Sequence, residues 1–269
     1  MTRVDDYFPA LLTKPSPASV AKLKKRLSSW FSGNKYASFH ARLLAIEFLR
    51  LMKTRVSYGK LSEITGIPES VLCRYVKGSI IPSLDQAVNI LANLSSSINV
   101  NELIKRFLER EKSTVIDLSR LLDDPYLLRL LSFILLFDLT GKKIDKILVG
   151  RPGVLPLATT IALELNSKIV LAKNKKYPGV SYYEEVIIRS MREAETIYVD
   201  KDMLSRRDNV LIITDVVITG KTLRALINIV EKAKAEITDI VTVIAIGNEW
   251  RKRIGRNIKI LGYIEKVLF

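Results

Sequence analysis

The chain has 269 residues, 48% of them apolar, so it is long enough for two domains with cores of their own and is not globally disordered. Its net charge of +15 favours a polyanionic partner, and the basic excess is denser in residues 1–120, which hold 19 Lys and Arg against 10 Asp and Glu. One cysteine and one histidine exclude an intrachain disulfide and a zinc-type ligand cluster, so we expect no protein-held metal site.

No membrane segment or secretion signal is visible in the sequence. The most apolar window, Leu127 to Leu139, is shorter than the ~18–20 residues of a membrane span and contains Arg129 and Asp138. The first residues include Asp5 and Asp6, where a signal peptide would have a basic start followed by an apolar core. We therefore expect a cytoplasmic protein without a membrane partner.

The N-terminal 120 residues read as helices. Prolines in residues 1–20 predict an irregular arm, and two amphipathic helices are predicted next, at about Val20 to Phe31 and Ser38 to Lys53. Two further helices are predicted at Leu84 to Leu94 and Asn101 to Lys112. The first helix has a basic face that either contacts phosphates or is merely solvated.

Residues 57–79 contain two short helices joined by a glycine turn. Ser57 is a good cap for the first helix, Gly66 suits the turn, and the second helix is predicted to run from Pro68 to Lys77 before Gly78. This pattern resembles the helix-turn-helix of phage-repressor type, whose second helix enters the major groove of DNA. Two short helices around a glycine also occur without DNA binding, so that alternative stays open.

The resemblance implies double-stranded DNA as a partner. Leu72, Tyr75 and Val76 are expected to pack inward. The outward positions, which would contact bases or phosphates, are Glu69, Ser70, Cys73, Arg74 and Lys77.

Ser113-Thr114 marks a predicted boundary, which gives a helical domain at residues 1–113 and a second domain at residues 114–269. The apolar helix Tyr126 to Leu139 is interpreted as the first element of the second domain, or as a contact between domains or subunits. Beyond Ile144 the pattern becomes an alternation of strands and helices, which is typical of a parallel sheet flanked by helices. The predicted strands are Ile144 to Val149, Lys168 to Ala172, Val210 to Ile213, Ile240 to Ile246 and a last one near Ile258 to Tyr263, with a hairpin at Val186 to Ser190 and Thr196 to Val199.

The segment from Asn209 to Leu223 is the most informative part of the chain. A buried strand leads to Asp215, and a hydroxyl-and-glycine turn, Thr219-Gly220-Lys221-Thr222, opens a helix. Such a turn presents N–H groups and hydroxyls where a phosphate is stabilised. A P-loop of the form G-x-x-x-x-G-K-[ST] would need its first glycine at Asp215, so we reject that motif.

The segment resembles the phosphoribosyl-diphosphate (PRPP) signature of type I phosphoribosyltransferases, in which two acids hold the ribose hydroxyls and the loop holds the 5′-phosphate. The resemblance implies that Thr214 and Asp215 lie at the ribose and that Thr219, Gly220, Lys221 and Thr222 bind the 5′-phosphate. It also implies a pyrophosphate site at Gly150, Arg151, Gly153 and Lys173, and a mobile covering loop at Tyr177 to Glu185.

The chain departs from the signature where Thr214 replaces the first acid and where Ile218 and Lys221 replace smaller or hydroxylated residues. We therefore expect an α + α/β protein, a homodimeric DNA-binding transcription regulator that senses PRPP or a nucleotide without catalysis and requires no cofactor. The alternative is an active nucleobase phosphoribosyltransferase with an accessory helical domain, in which Mg²⁺ would accompany PRPP. A nonspecific nucleic-acid-binding protein with an empty pocket is a third hypothesis.

Overall fold

The computed structural model describes residues 8–111, 118–190 and 192–265, and its contacts divide the chain into two compact units. The helical unit comprises the described residues up to Leu103 together with Arg129–Gly141. The α/β unit comprises the described residues of Ile104–Leu128 and those from Lys142 onward. The expected class, a helical region followed by an α/β domain, is confirmed. The predicted boundary at Ser113-Thr114 lies outside the described residues.

Among the described residues, eight α-helices precede the first strand. They are α1 (Pro17–Phe31), α2 (Lys35–Lys53), α3 (Tyr58–Thr65), α4 (Glu69–Lys77), α5 (Leu84–Ser97), α6 (Val100–Glu111), α7 (Ser119–Leu122) and α8 (Pro125–Leu139).

Side-chain caps explain where four of these helices begin. Ser16, Asn34, Ser57 and Ser83 each accept a hydrogen bond from the backbone N–H three residues further on, at 2.8–3.2 Å. The caps at Ser16 and Asn34 start α1 and α2 about one turn before the predicted positions. The periodic apolar residues that guided the prediction begin only in the second turn of each helix.

Most of α8 belongs to the helical unit, whereas the sequence-based domain limits put it in the second domain. The reason is aromatic packing: the ring of Phe48 on α2 stacks on Phe133, with ring centroids 5.0 Å apart, and contacts Phe137 at 5.8 Å. Arg26 of α1 also donates to the Phe137 carbonyl at 3.1 Å and to the Asp138 carboxylate at 3.3 Å. These contacts assign the C-terminal part of α8 to the helical core.

The described residues of the α/β unit form a parallel sheet of five strands in the order β2-β1-β5-β6-β7. The strands and helices that follow α8 are β1 (Lys146–Val149), α9 (Leu155–Leu165), β2 (Lys168–Leu171), β3 (Tyr182–Ser190), β4 (Glu193–Asp200), β5 (Asn209–Val217), α10 (Lys221–Lys232), β6 (Glu236–Ile246), α11 (Glu249–Ile254) and β7 (Lys259–Ile264). The predicted parallel sheet is confirmed, while α11 was missed because its basic residues were interpreted as a solvated run.

The central strand β5 continues past the predicted end at Ile213. Residues 210–214 are buried, as expected for a strand covered on both faces, and Val216 and Val217 pair with Ile244 and Ala245 of β6. Asp215 therefore lies within the last third of the strand rather than after it.

A separate antiparallel hairpin, β3–β4, packs against α10. Glu185 accepts hydrogen bonds from Lys232 at 2.6 Å and from Asn228 at 3.0 Å, and Lys232 also donates to the Glu184 carbonyl at 2.7 Å. Burial alone would raise the pKa of Glu185, but these hydrogen bonds outweigh it and lower the pKa. The covering loop predicted at Tyr177 to Glu185 is partly strand in the structure, because β3 already begins at Tyr182.

None of the helices in the described part of the chain combines the length and the apolar character needed to cross a bilayer.

Candidate functional site

The turn between β5 and α10 is held in one conformation by its glycine. Gly220 has a φ of 75°, which favours glycine, and a Cβ at this position would lie 3.1 Å from the Trp250 Cβ and 3.3 Å from the Trp250 Cα. Arg253 of α11 donates a hydrogen bond to the carbonyl of Thr219. Helix α11 thus supports the turn from outside, and the N–H groups of the first turn of α10 remain available to an anion.

Thr214 and Asp215 occupy different environments. The Thr214 side chain is 2% exposed, and its hydroxyl donates to Asp215 Oδ1 at 3.3 Å. Asp215 is half-buried and lines an open cavity. Of the two positions expected at the ribose, only Asp215 faces the cavity, while Thr214 lies in the sheet opposite Thr242.

The loop after β1 approaches the same cavity. A Cβ on Gly150 would lie 2.7 Å from Leu226 Cδ1, so α10 and this loop pack with no room for a side chain. Arg151 is exposed, and Gly153 has open space around it and a φ outside the left-handed region. The backbone of residues 150–153 is therefore accessible to a ligand.

The cavity has a volume of about 620 Å³ and mixes cationic and anionic side chains. Its lining residues are Gly150, Arg151, Pro152, Gly153, Leu171, Ala172, Lys173, Asn174, Lys175, Tyr177, Glu195, Ile197 and Asp215. The structure thus brings together Asp215 and all four residues expected at the pyrophosphate. The four residues expected at the 5′-phosphate are not part of this lining; they follow β5 into α10.

Lys173 is fixed by its neighbours. Its backbone N–H and carbonyl both pair with Tyr198 of β4 at 2.8 Å, and its ammonium group lies 5.0 Å from the centroid of the Tyr177 ring. Because the hairpin determines the position of Lys173, sequence spacing alone cannot predict its orientation.

Sequence reasoning missed Arg189 and Glu195, which pair across the hairpin at 2.6 Å. Arg189 also donates to the Thr222 hydroxyl at 3.0 Å, and Lys221 Nζ donates to the Arg189 carbonyl at 3.2 Å. These contacts depend on how the hairpin packs on α10, and no local motif announces them.

In the helical unit, α3 and α4 are joined at Gly66, whose φ of 72° requires a glycine-like conformation. Asn89 of α5 donates to the Thr65 carbonyl at 3.0 Å, and Arg50 of α2 donates to the Val76 carbonyl at 2.8 Å. The C-terminal ends of both short helices are thereby tied to longer helices. Helix α4 begins at Glu69 rather than Pro68, which has extended backbone and serves as the N-cap.

The exposed face of α4 carries four of the five residues expected to face DNA: Glu69, Ser70, Arg74 and Lys77. Leu72 and Tyr75 are buried, as expected, while Val76 is half-buried. The fifth residue, Cys73, is half-buried beside Tyr58; partial desolvation and the hydrogen bond with Cys73 raise the pKa of Tyr58. Cys73 is therefore oriented toward α3 rather than fully outward.

The mixed donor set of the cavity is compatible with Mg²⁺ held mainly by a substrate. Among the described residues, no cluster of three or more His, Cys, Asp and Glu side chains could hold a metal ion. Asp215 and Glu195 nevertheless place two carboxylates at the lining, and Mg²⁺ commonly takes one or two carboxylates together with substrate phosphates.

Comparisons with known proteins give one consistent result. No family model matches the chain. A hypoxanthine/guanine phosphoribosyltransferase of Methanothermococcus okinawensis is 33% identical over 139 residues, which cover 49% of this chain and 72% of the relative. A xanthine phosphoribosyltransferase of Lactobacillus helveticus is 27% identical over 131 residues, covering 46% of this chain and 68% of the relative.

The fold is shared with a solved adenine phosphoribosyltransferase of Thermoanaerobacter pseudethanolicus, with a TM-score of 0.51 and 18% identity over 55% of this chain and 87% of that one. Through its C-terminal half, the chain belongs to the type I phosphoribosyltransferase family.

Proposed function

We propose that the chain binds PRPP in the cavity of the α/β unit and transfers its phosphoribosyl group to a purine base. The observation that carries this proposal is the convergence of Asp215, the Gly150–Gly153 loop and Lys173 on one cavity. The relatives named as hypoxanthine/guanine and xanthine phosphoribosyltransferases support the purine class.

The proposed reaction exchanges one bond at C1′ for another, and the chain would contact the ribose, the 5′-phosphate and the pyrophosphate. A nitrogen of the base forms a bond to C1′ of the ribose as the bond between C1′ and the pyrophosphate oxygen breaks. The leaving pyrophosphate takes the bonding pair, and the proton of the attacking nitrogen is released to water or to the pyrophosphate. Asp215 would accept hydrogen bonds from the ribose hydroxyls, and Thr219–Thr222 would hold the 5′-phosphate. Arg151, Lys173 and the backbone of Gly150 and Gly153 would stabilise the charge on the pyrophosphate. Mg²⁺, held by PRPP oxygens with Asp215 or Glu195, would neutralise part of that charge.

The test is product formation by the purified chain. PRPP and Mg²⁺ are incubated with adenine, guanine, hypoxanthine, xanthine, uracil or orotate in turn, and both nucleoside monophosphate and pyrophosphate are measured. We expect product with at least one purine and none with the Asp215→Ala variant. Binding of PRPP without product from any base would overturn the transfer step and leave a sensor.

The second candidate function is the DNA-binding regulator that uses the same ligand site as a sensor. The specific observation in its favour is the pair α3–α4, with a glycine turn at Gly66 and four exposed polar or charged residues along α4. Thr214 also favours it, because a neutral side chain stands where the family signature has an acid. In this proposal a homodimer would bind half-sites about 10 bp apart, and ligand and DNA would alter each other's affinity.

Selection from random duplexes with the purified chain tests this second candidate. We expect an enriched palindrome whose affinity changes at least severalfold when PRPP or a nucleoside monophosphate is added. Enrichment of no sequence, with uniform salt-dependent binding, would leave nonspecific binding by a basic protein.

A further inference from the structure

Arg189 on β3 contacts the loop that the family signature assigns to the 5′-phosphate. Its Nη2 donates to Thr222 Oγ1 at 3.0 Å, while its Nε and Nη2 both donate to Glu195 Oε2, at 3.2 and 2.6 Å. The side chain is 25% exposed, so it is largely shielded from water. A guanidinium therefore lies one hydrogen bond from the first turn of α10.

The contact with Arg189 determines whether the Thr222 hydroxyl donates or accepts a hydrogen bond there. A guanidinium donates hydrogen bonds and does not accept them. The Thr222 oxygen must therefore accept from Arg189, and its own proton remains available for a ligand. Arg189 thus orients the Thr222 hydroxyl as a donor, which is the state that a phosphate oxygen needs.

The hairpin and the loop are joined at a second point close by. Lys221 Nζ donates to the backbone carbonyl of Arg189 at 3.2 Å, so two consecutive residues of α10 contact one residue of β3. Further along α10, Asn228 and Lys232 hold Glu185 of the same strand. Two residues of α10 therefore contact Arg189 directly, and two others hold the same strand four residues away at Glu185.

We infer that Arg189 belongs to the 5′-phosphate subsite, where it keeps the Thr222 hydroxyl in its donating orientation while its guanidinium is held in place by Glu195. This inference rests on the proposed PRPP site and deepens it. Arg189 acts as a binding and positioning residue there, and it makes the β3–β4 hairpin part of the ligand site.

Two small probes separate the two phosphate subsites. Ribose 5-phosphate tests the loop at Thr222, and inorganic pyrophosphate tests the loop at Gly150–Gly153 together with Lys173. The affinities of both probes and of PRPP are measured by calorimetry for the parent chain, Arg189→Gln and the control Arg192→Gln. Arg192 is exposed in the same hairpin, so its substitution removes an equal charge at a matched place.

We expect Arg189→Gln to bind ribose 5-phosphate about tenfold more weakly, the order of one charge-assisted hydrogen bond. Its pyrophosphate affinity and the affinities of Arg192→Gln should stay within about twofold of the parent values. Arg189→Lys keeps the charge but not the planar fork, so it should lose about threefold. This conservative variant also provides a measurement if Arg189→Gln does not fold.

The other outcomes overturn either the assignment of Arg189 alone or the assignment together with the proposed function. Unchanged ribose 5-phosphate affinity in Arg189→Gln overturns the assignment of Arg189 while leaving the PRPP site intact. An equal loss for both probes shows a general disturbance of the hairpin and also overturns it. Failure of the parent chain to bind PRPP overturns the proposed function and this inference together.

Discussion

Asp145 joins the segment before β1 to the first residue of β5 through Asn209. Its Oδ2 accepts hydrogen bonds from the Asn209 backbone N–H at 2.9 Å and from the Asn209 side-chain amide at 2.6 Å. The side-chain hydrogen bond, followed by the backbone one, lowers the pKa of Asp145. The pair fixes the register of two neighbouring strands whose opposite ends carry the ligand loops.

Replacing Asp145 by Ala should lower the free energy of unfolding by about 1 kcal/mol at pH 7, because two donors lose their acceptor but remain partly reachable by water. A lowered folded-state pKa means that the contribution is present above the unfolded pKa of about 3.9. It is lost as the pH falls through the lower folded-state value. Urea unfolding at pH 7 and pH 3 should therefore show the parent and Asp145→Ala converging in acid. A difference that is as large at pH 3 as at pH 7 would contradict the charge-based part of this account.

Gly220→Ala should destabilise the chain and disrupt PRPP binding. A φ of 75° costs a non-glycine residue about 1–2 kcal/mol, and the added Cβ would also meet the Trp250 backbone at 3.3 Å. Gly33→Ala is the matched control, since Gly33 lies in the helical unit and its Cβ would lie 3.7 Å from the Trp30 carbonyl oxygen, an ordinary contact distance. Thermal unfolding of both variants checks the prediction, and equal melting temperatures would show that the turn adapts freely.

The PRPP site can be tested by measuring how much the ligand stabilises the folded protein. PRPP at 100 times its Kd should add about 2.7 kcal/mol to the free energy of unfolding of the parent chain. Asp215→Ala and Thr222→Val should each lose most of that gain while unfolding normally without ligand. Asp202→Asn, a change at an exposed acid outside the cavity, should keep the full shift. Parent-like shifts in the two site variants would mean that PRPP binds elsewhere.

Restoring an acid at Thr214 should be costly in the ligand-free protein. The side chain is 2% exposed and lies beside Asp215, so burial and like charge would both raise the pKa of an introduced carboxyl group. We expect Thr214→Asp to lower the free energy of unfolding by about 2–4 kcal/mol at pH 7, with the loss shrinking toward pH 4 as the group is protonated. Thr214→Val, which keeps shape without charge, should change it by about 1 kcal/mol or less.

Denaturant unfolding across that pH range measures both variants. A Thr214→Asp protein as stable as the parent at pH 7 would show that position 214 accepts a charged side chain. The surrounding structure would then not be the reason for the absence of an acid there.

The strand-and-loop skeleton was predictable because short-range chemistry encodes it. The buried run of β5, the glycine turn at Gly220 and the cap at Ser57 each depend on residues within a few positions of one another. The end of β5 was misjudged because Asp215 is polar, yet its backbone continues in the sheet and Thr242 donates to its carbonyl at 3.3 Å. A polar residue in a strand signals an end only when its backbone also leaves the ladder.

The residues that the prediction missed depend on pairing over longer distances. Glu195 lies opposite Ile187 in the hairpin, and the contact of Arg189 with Thr222 spans 33 residues. Phe48 meets Phe133 across the chain in the same way. The local sequence shows which of these side chains are charged, and its periodicity shows which face inward. Neither shows which distant residue they contact.

Arg74 and Lys77 on α4 give a prediction for DNA. If Lys77 contacts a phosphate, Lys77→Ala should weaken binding to all duplexes and make the slope of log K against log salt shallower by about one unit. If Arg74 contacts a base, Arg74→Ala should cost about 1–3 kcal/mol on a selected duplex and much less on a scrambled one. Titrations at two salt concentrations measure both effects, with Lys252→Ala, an exposed lysine of α11, as the equal-charge control. Identical binding by all variants would remove α4 as the DNA-reading helix.

The pairing of Lys146 with Val210 places β1 beside a strand that is made 64 residues later. At a synthesis rate of about 5–20 residues per second, β1 is exposed for roughly 3–13 s before β5 has been translated. During that interval β1 can pair only with β2, and the edge that β5 will cover presents unpaired backbone groups. The ligand loops at the ends of β1 and β5 are therefore assembled only after β5 has been translated, and until then the uncovered edge of β1 is open to pairing with another chain.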